Sequence, residues 1–319
     1  MSMGLGYGKI ILFGEHFVVH DLPAIVAGLP WCTKASVQIT QKSQAHRIIL
    51  HDERPRIPGV TFIESKKQAY YQLAQNIIER MGVTQDVTIT LAGDLVVSSG
   101  GIGASAATAV AITRALNNFY NVNIPDHEIN QIALCGERAV HGNPSGIDTT
   151  AATYGGLFVF QKNISPRFLL QAQRTKIILI DSGFTTPTSE VITSVQNFKD
   201  NHQELVHMLV TQYKNIVQEA EFILSKKLQS QAHDNLDNLV RLGELMNRNH
   251  ELLRQIGVST PELDEIVLIA RNAGAFGAKI TGTGRGGLIL ALTPGDIQER
   301  VSRVFSALGY NVICTEIQV

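Results

Sequence analysis

The sequence predicts an α+β chain of two domains, and three observations lead to this prediction. The first half contains several short runs with β-type patterning and a few helices. The second half is dominated by long helical stretches, and a strand over 176–181 marks the change. The chain has 319 residues, a length sufficient for two domains. We expect a first domain over residues 1–175 and a second over 176–319.

The individual elements follow from periodicity and from turn residues. Strands are expected over 9–14, 24–28, 33–40, 47–51, 87–92 and 157–160. Helices are expected over 65–81 and 104–119, and a further helix begins at Pro125 and breaks at the turn cluster 141–146. After a turn at Ser165 and Pro166, the second half should contain a strand over 176–181, helices over 189–228, 233–256 and 261–273, and closing strands over 287–292 and 311–317.

Composition restricts the class of protein. With 44% hydrophobic and 17% charged residues, the chain is neither disordered nor fibrous. A formal net charge of -1 gives no support for nucleic-acid or membrane-surface binding, so we expect small-molecule partners. Residues 95–113 carry no charge, but their Gly, Ser, Ala and Thr content indicates a buried helix after a glycine loop rather than a membrane span.

Three cysteines and the chain ends indicate the compartment. The cysteines are few, odd in number and without metal-ligand spacing, and we expect all three to be buried thiols in a reducing environment. The N-terminus does not have the basic and apolar segments of a signal peptide. A cytoplasmic location is the expectation.

A glycine cluster at 100–103 leads into the predicted helix at Ala104, and it predicts an anion site. Glycines let backbone N–H groups approach a ligand, and a helix start adds free donors and a positive dipole end. We expect phosphate there, with the Ser105 hydroxyl available to an accompanying metal ion. The predicted phosphate-binding residues are Ser99, Gly100, Gly101, Ile102, Gly103, Ala104, Ser105 and Ala106.

Three other interpretations of this stretch are weaker or less specific. A glycine turn that only packs the helix is common. Residues 101–106 also match the dinucleotide fingerprint G-x-G-x-x-A, but no second strand with an acidic tip follows. A Walker P-loop is excluded because no lysine follows either glycine cluster. The second cluster, at 282–287, fits a nucleotide-phosphate site at a domain interface together with the first.

Three blocks in this order, 8–20, 101–107 and 278–287, resemble the three motifs of the galactokinase, homoserine kinase, mevalonate kinase and phosphomevalonate kinase (GHMP) superfamily. Within it, block 136–148 is very similar to the mevalonate kinases. The resemblance covers nearly the whole chain. It implies an N-terminal domain like ribosomal protein S5 domain 2 and a ferredoxin-like C-terminal domain with added helices.

The same resemblance implies a reaction and its cofactors. The reaction is transfer of the γ-phosphoryl group of ATP, with Mg²⁺, to the primary alcohol of mevalonate in isoprenoid precursor synthesis. Phosphoryl transfer depends mainly on positioning and charge stabilisation, which suits residues of these types. Homodimers are common in the family. A sibling kinase acting on phosphomevalonate or another alcohol is the alternative, and a catalytically silent nucleotide-binding regulator is an alternative of another class.

Residue roles are carried over by position. Asp148 corresponds to the catalytic aspartate that takes or orients the hydroxyl proton, and Lys9 stands beside it and offsets phosphoryl charge. Glu137 and Ser105 correspond to the Mg²⁺ ligands. The implied substrate-binding residues are Lys9, Glu15, His16, Asp148, Thr188, Gly282 and Thr283.

Each residue alone also has an ordinary structural interpretation. Lys9 could be a solvated lysine at a strand end, and Asp148 could cap a turn. The joint occurrence in order favours function for Lys9, Ser105, Glu137 and Asp148, but not for Thr188 or His20. Arg285 stands where the family commonly has glycine, and contact with phosphate, contact with substrate or exposure to solvent all remain open. The turn-rich stretch 51–62 is the candidate lid.

Overall fold

The computed structural model describes residues 2–40, 47–55, 64–95, 100–142, 144–172, 174–226 and 232–317. The strands are β1 (Ser2–Phe13), β2 (Ala24–Thr40), β3 (Ile48–Asp52), β4 (Asp86–Gly93), β5 (Leu157–Gln161), β6 (Ile164–Phe168), β7 (Thr175–Asp181), β8 (Gly277–Thr281), β9 (Leu288–Leu292) and β10 (Val312–Ile317). The helices are α1 (Glu64–Arg80), α2 (Ala104–Tyr120), α3 (Asp126–His141), α4 (Ile147–Tyr154), α5 (Thr188–Asn201), α6 (Gln203–Ser225), α7 (Ala232–Gln255), α8 (Pro261–Asn272) and α9 (Ile297–Ala307).

Most predicted elements are present within a few residues, and the differences have physical causes. Strand β2 is continuous where two strands were predicted. Pro30 cannot donate a hydrogen bond to a neighbouring strand, but it lies between the residues that pair with β5 and those that pair with β4, so it interrupts neither pairing. The predicted turn at Ser165 is wrong, since Pro166 lies within β6, the edge strand of the described sheet. The predicted helix over 189–228 is two helices, α5 and α6. Helices α4 and α9 were not predicted.

The described residues form two compact units, each of which is described by itself. The first comprises Met1–Lys9, Gly28–Ser98 and Ile102–Gly155. In it, β4 pairs antiparallel with β2 over 33–40 and parallel with β3. Helix α3 packs on α1 and α2, and α2 also packs on α4. Helix α2 is almost entirely buried, which its run of alanines makes possible.

Strand β1 lies directly on α2 in this unit. A Cβ at Gly4 would stand 2.3 Å from the Ala111 carbonyl oxygen, and one at Gly6 would stand 2.2 Å from that of Ala107. Only glycine on the strand and small residues on the helix permit so close an approach. The strand therefore extends seven residues before the predicted start, through a segment whose glycines disfavour strands in isolation.

The second unit comprises Ile10–Ala27, Ser99–Gly101 and Gly156–Val319. Its four-stranded antiparallel sheet has the order β10-β7-β9-β8. With α8 packed on β8 and α9 on β7 and β10, this is the β-α-β-β-α-β order of a ferredoxin-like fold, and α5, α6 and α7 are added helices. The fold class predicted from the resemblance is confirmed.

Three further expectations concern boundaries and exposure. The division into domains at residue 175 stays a prediction, and the compact units have other bounds because β1 and β2 contribute residues to both. The expectation of three buried cysteines is wrong: the thiols are free, but Cys314 is exposed on edge strand β10, and Cys32 and Cys135 are half-buried. A membrane-crossing helix is not found in the part of the chain that the structure describes.

The contact between β1 and α2 leads to a stability prediction. Gly6→Ala should lower the free energy of unfolding by about 2–3 kcal/mol, because the new methyl group would push the strand off the helix. Met3→Ala on the same strand is the control, since Met3 is exposed, and it should cost less than about 0.5 kcal/mol. Chemical denaturation measures both values. A loss for Gly6→Ala as small as that for Met3→Ala would show that the close approach of β1 to α2 does not stabilise the fold.

Candidate functional site

Lys9 and Asp148 form the centre of a polar cluster in the first unit. The Nζ atom of Lys9 lies 3.1 Å from Oδ1 of Asp148, and the lysine side chain is only 4% exposed, whereas that of Asp148 is 36% exposed. A buried ammonium group beside a solvent-accessible carboxylate fixes the orientation of that carboxylate. The predicted pair is therefore brought together.

Two elements position this pair. Lys9 follows the glycine-rich part of β1, and its backbone N–H donates to the Ile102 carbonyl at 2.9 Å. Gly103, in the left-handed conformation at the start of α2, leaves room for the lysine stem, since a Cβ there would stand 2.9 Å from Lys9 Cγ. Asp148 lies in the first turn of α4, after Gly146.

A second group joins the first turn of α2 to the last turns of α3. The Ser105 hydroxyl lies 3.3 Å from Oε2 of Glu137 and 3.2 Å from Nε2 of His141. Glu137 is 1% exposed, so its carboxyl group is buried. His141 was not predicted, although its spacing of four residues from Glu137 on one helix was available in the sequence.

The surroundings of Glu137 disfavour its ionised form. Burial first, and the charge of Asp148 second, raise the pKa of Glu137 to about 8. Its Oε1 atom is buried and has no hydrogen-bond partner among the described residues. Burial likewise lowers the pKa of His141, so the imidazole is neutral at pH 7 and adds no positive charge that would favour ionisation of Glu137. A buried carboxylate oxygen without a partner, next to a hydroxyl, fits a hard divalent cation such as Mg²⁺.

The glycine loop before α2 has the backbone geometry of a close-approach site. Gly100, Gly101 and Gly103 all have positive φ angles, 139°, 92° and 70°. The helix start, with Ala104, Ser105 and Ala106, belongs to the first unit, as does Ile102, whereas Gly100 and Gly101 belong to the second. Ser99 lies outside the described residues, as do residues 56–62 of the candidate lid, and nothing tests them.

The second unit contains another polar cluster, centred on Glu15. Its Oε1 accepts a bond from Nζ of Lys279 at 2.5 Å, and both side chains are fully buried. Burial lowers the pKa of Lys279, and Oε2 of Glu15 has no hydrogen-bond partner among the described residues. Lys279 was not predicted as a site residue. Its signal was a lysine inside the apolar β8, where an ammonium group requires a buried partner.

His16 and Thr283 meet in the same unit. Nε2 of His16 bonds the Thr283 carbonyl at 2.8 Å, and burial, together with the charges of Lys199 and Lys279, lowers the pKa of His16 to about 4. The imidazole is thus neutral at pH 7 and acts as a donor of fixed tautomer. Gly282 precedes Thr283 in the loop. Thr188 begins α5 and is half-buried, and its part in the site stays a prediction.

Comparison with known proteins identifies relatives over the full fold. Two family models match: the GHMP kinases N terminal domain over residues 68–156 and the GHMP kinases C terminal over 232–311. The mevalonate kinase of Thermococcus gammatolerans is 31% identical, covering 97% of this chain and 94% of its own length. That of Pyrococcus horikoshii is 33% identical, covering 96% and 92%. The crystal structure of L. major mevalonate kinase in complex with R-mevalonate is 36% identical, with a TM-score of 0.87, and covers 100% of this chain and 96% of that one.

The buried Glu15–Lys279 pair leads to a double-mutant prediction. Lys279→Met should destabilise the fold by about 3–5 kcal/mol, because it leaves the Glu15 carboxylate buried without a counter-charge. Adding Glu15→Gln should recover a large part of this loss, since no buried charge then remains. Urea unfolding of the two single variants and the double variant measures the coupling. Additive losses would contradict a direct charge interaction, and Arg303→Ala in an exposed ion pair is the control.

Proposed function

The chain belongs to the GHMP kinase family, and from this premise we propose that it transfers the γ-phosphoryl group of ATP to the primary alcohol of mevalonate. Family membership makes the protein an ATP-dependent small-molecule kinase. The choice of mevalonate is supported by relatives that cover nearly the whole chain and by the 36% identical structure that binds R-mevalonate. The observation that carries the proposal is the Lys9–Asp148 pair at the start of α2 and α4.

Asp148 and Lys9 supply the proton chemistry in this proposal. Asp148 accepts the proton of the substrate hydroxyl as its oxygen attacks the γ-phosphorus, and the bond between that phosphorus and the β,γ-bridging oxygen of ATP breaks to release ADP. Lys9 keeps its proton and holds Asp148 in place. Its positive charge also stabilises the negative charge that spreads over the transferring group.

The buried carboxylate on α3 is the proposed metal ligand. Ser105 and Glu137 would hold Mg²⁺, and the partnerless Oε1 of Glu137 supports this assignment. When bound, Mg²⁺ supplies charge neutralisation to the ATP phosphates. The backbone from Ser99 to Ala106 is proposed to bind those phosphates through its N–H groups.

The second unit provides the proposed substrate contacts. Glu15, which has one buried oxygen without a partner among the described residues, and His16, whose Nδ1 remains an acceptor, are suited to accept hydrogen bonds from the hydroxyl groups of a small polar molecule. Thr188, Gly282 and Thr283 are proposed to border the same ligand. A cytoplasmic location remains a prediction from the sequence, and a homodimer remains what the family resemblance suggests.

An assay of ADP release with MgATP tests the function. We expect turnover with mevalonate and none, or far less, with phosphomevalonate, homoserine or galactose. Asp148→Asn should lower kcat by a factor of about 10²–10⁴ with little change in ATP affinity, because it removes the proton acceptor but keeps the side-chain shape.

Asp126→Asn is the matched control for this substitution. Asp126 also lies in the first turn of a helix, but it pairs with Arg114 and is half exposed. Its replacement should leave kcat within about twofold. Preference for phosphomevalonate or another alcohol would reject the substrate. ATP binding without turnover on any alcohol would indicate a silent regulator, and full activity of Asp148→Asn would remove that residue from its role.

The metal assignment leads to a prediction with two opposite effects. Glu137→Gln should raise the Mg²⁺ concentration needed for half-maximal rate by about tenfold or more, because a charged ligand is lost. The same change should leave the fold as stable or more stable, because it removes a buried carboxyl group whose ionisation is disfavoured. Magnesium titration and thermal unfolding measure the two effects, with exposed Glu128→Gln on the same helix as the control. An unchanged magnesium requirement would reject Glu137 as ligand.

A further inference from the structure

The loop Gly282–Gly287 contains an unusual backbone position. Six non-glycine residues among those described have positive φ angles: His16, Asp21, Asn121, Asn123, Asn163 and Arg285. Five are His, Asp or Asn, the types that adopt the left-handed region most readily. Arg285, with φ of 53°, is the exception. A strained residue persists where its surroundings hold it, and such residues concentrate at functional sites.

The backbone around Arg285 is held on two sides. Its N–H donates to the Val258 carbonyl at 2.7 Å, and its own carbonyl accepts a bond from the Thr186 hydroxyl at 2.7 Å. The flanking glycines permit this, since a Cβ at Gly284 would stand 2.3 Å from the Val258 oxygen and one at Gly286 would stand 2.5 Å from the Phe184 oxygen. Glycine would satisfy the same backbone bonds at position 285 without strain. These backbone bonds therefore do not account for an arginine at this position, and the contacts of its side chain need a separate explanation.

That side chain ties the loop to two helical segments. Nε donates to the Gly257 carbonyl at 2.9 Å, just after α7, and one terminal nitrogen donates to the Ser194 hydroxyl of α5 at 2.7 Å. Both acceptors are neutral, and the described ion pairs include none with Arg285. The planar guanidinium is suited to hold two acceptors at fixed angles. It fixes the loop against α5 and the end of α7.

The fixed loop presents a carbonyl to His16. Thr283, two residues before Arg285, accepts the bond from Nε2 of His16. His16 itself has a φ of 61°, so its backbone also lies in the left-handed region. A carbonyl at a constant position keeps the proton on Nε2 and leaves Nδ1 as an acceptor.

We propose that Arg285 is a positioning residue for the alcohol substrate: by anchoring the loop to Ser194 and Gly257, it fixes the Thr283 carbonyl and so the orientation and tautomer of His16. This deepens the proposed function and rests on it, since His16 is the proposed substrate contact. The half-buried guanidinium of Arg285 bonds Gly257 and Ser194, so in this proposal it acts on the substrate through the loop and His16 rather than by direct contact.

The test uses three variants of the full-length enzyme. Arg285→Gly removes the side chain and relieves the backbone strain, so it should raise the KM for mevalonate about tenfold while kcat and the KM for ATP stay within about twofold. Arg285→Lys keeps the charge but reaches only one acceptor, so its KM for mevalonate should lie between those of the wild type and Arg285→Gly. Ser194→Ala should raise the KM less, and its effect should largely vanish in the Arg285→Gly background. Arg303→Ala, in an exposed ion pair, should change nothing.

A second readout is independent of turnover. Nitrogen-edited NMR of the imidazole rings should show His16 as the Nε2–H tautomer in the wild type and a mixture of tautomers in Arg285→Gly. An unchanged tautomer, an unchanged mevalonate KM, or equal rises in both KM values would overturn the positioning role, even with a lowered Tm. If the wild type turns over no alcohol, the proposed function fails, and the His16 spectrum still decides whether Arg285 positions that ring.

Discussion

The contact between β1 and α2 is the constraint on which the position of the Lys9–Asp148 pair depends. Gly4 and Gly6 bring the strand to within backbone distance of the helix, so the next residues of the strand meet the start of that helix. Lys9 therefore lies beside Gly103, at the start of α2, where the first N–H groups of a helix have no partner within the helix and where Ser105 lies in the first turn. A bulkier strand or a helix without alanines would separate the ammonium group of Lys9 from the backbone at the start of α2.

The site is formed at the expense of stability. Two buried carboxylates, Glu137 and Glu15, each have an oxygen without a hydrogen-bond partner among the described residues. Lys279 balances one of them at the cost of burying its own charge. Glu137 lies beside a serine hydroxyl and a neutral imidazole, and burial raises its pKa to about 8 despite the charge of Lys9. Burial of polar groups without partners disfavours the folded state, and the same property suits Glu137 to the proposed cation and Glu15 to the proposed substrate hydroxyl.

The sequence predicted the elements whose own residues determine them and missed those determined by tertiary contacts. The apolar runs that became β7, β9 and β10 were found, but β8 has glycine, alanine and lysine and becomes a strand only because its neighbours bury it. The predicted strand β1 was too short for the same reason, because glycines have a low strand propensity and the position of this segment depends on its close contact with α2. In the site, motif order singled out Lys9, Ser105, Glu137 and Asp148, and the structure brings Lys9 to Asp148 and Ser105 to Glu137. It could not show the contact of His141 with Ser105 or that of Lys279 with Glu15, because each joins elements far apart in the chain.

The two glycine clusters are similar in sequence, but their glycines have different surroundings. In the first, the missing side chains leave space: a Cβ at Gly100 would meet no atom of the described residues within 4 Å, and Gly103 makes room for Lys9. In the second, the space beside Gly284 and Gly286 is already filled by main-chain carbonyl groups. A loop packed in this way is held rather than mobile, and an arginine with positive φ tightens it further. Glycine content alone therefore does not assign a loop to phosphate: the described residues leave space beside Gly100, whereas the second loop is packed against main-chain carbonyl groups and presents its Thr283 carbonyl to His16.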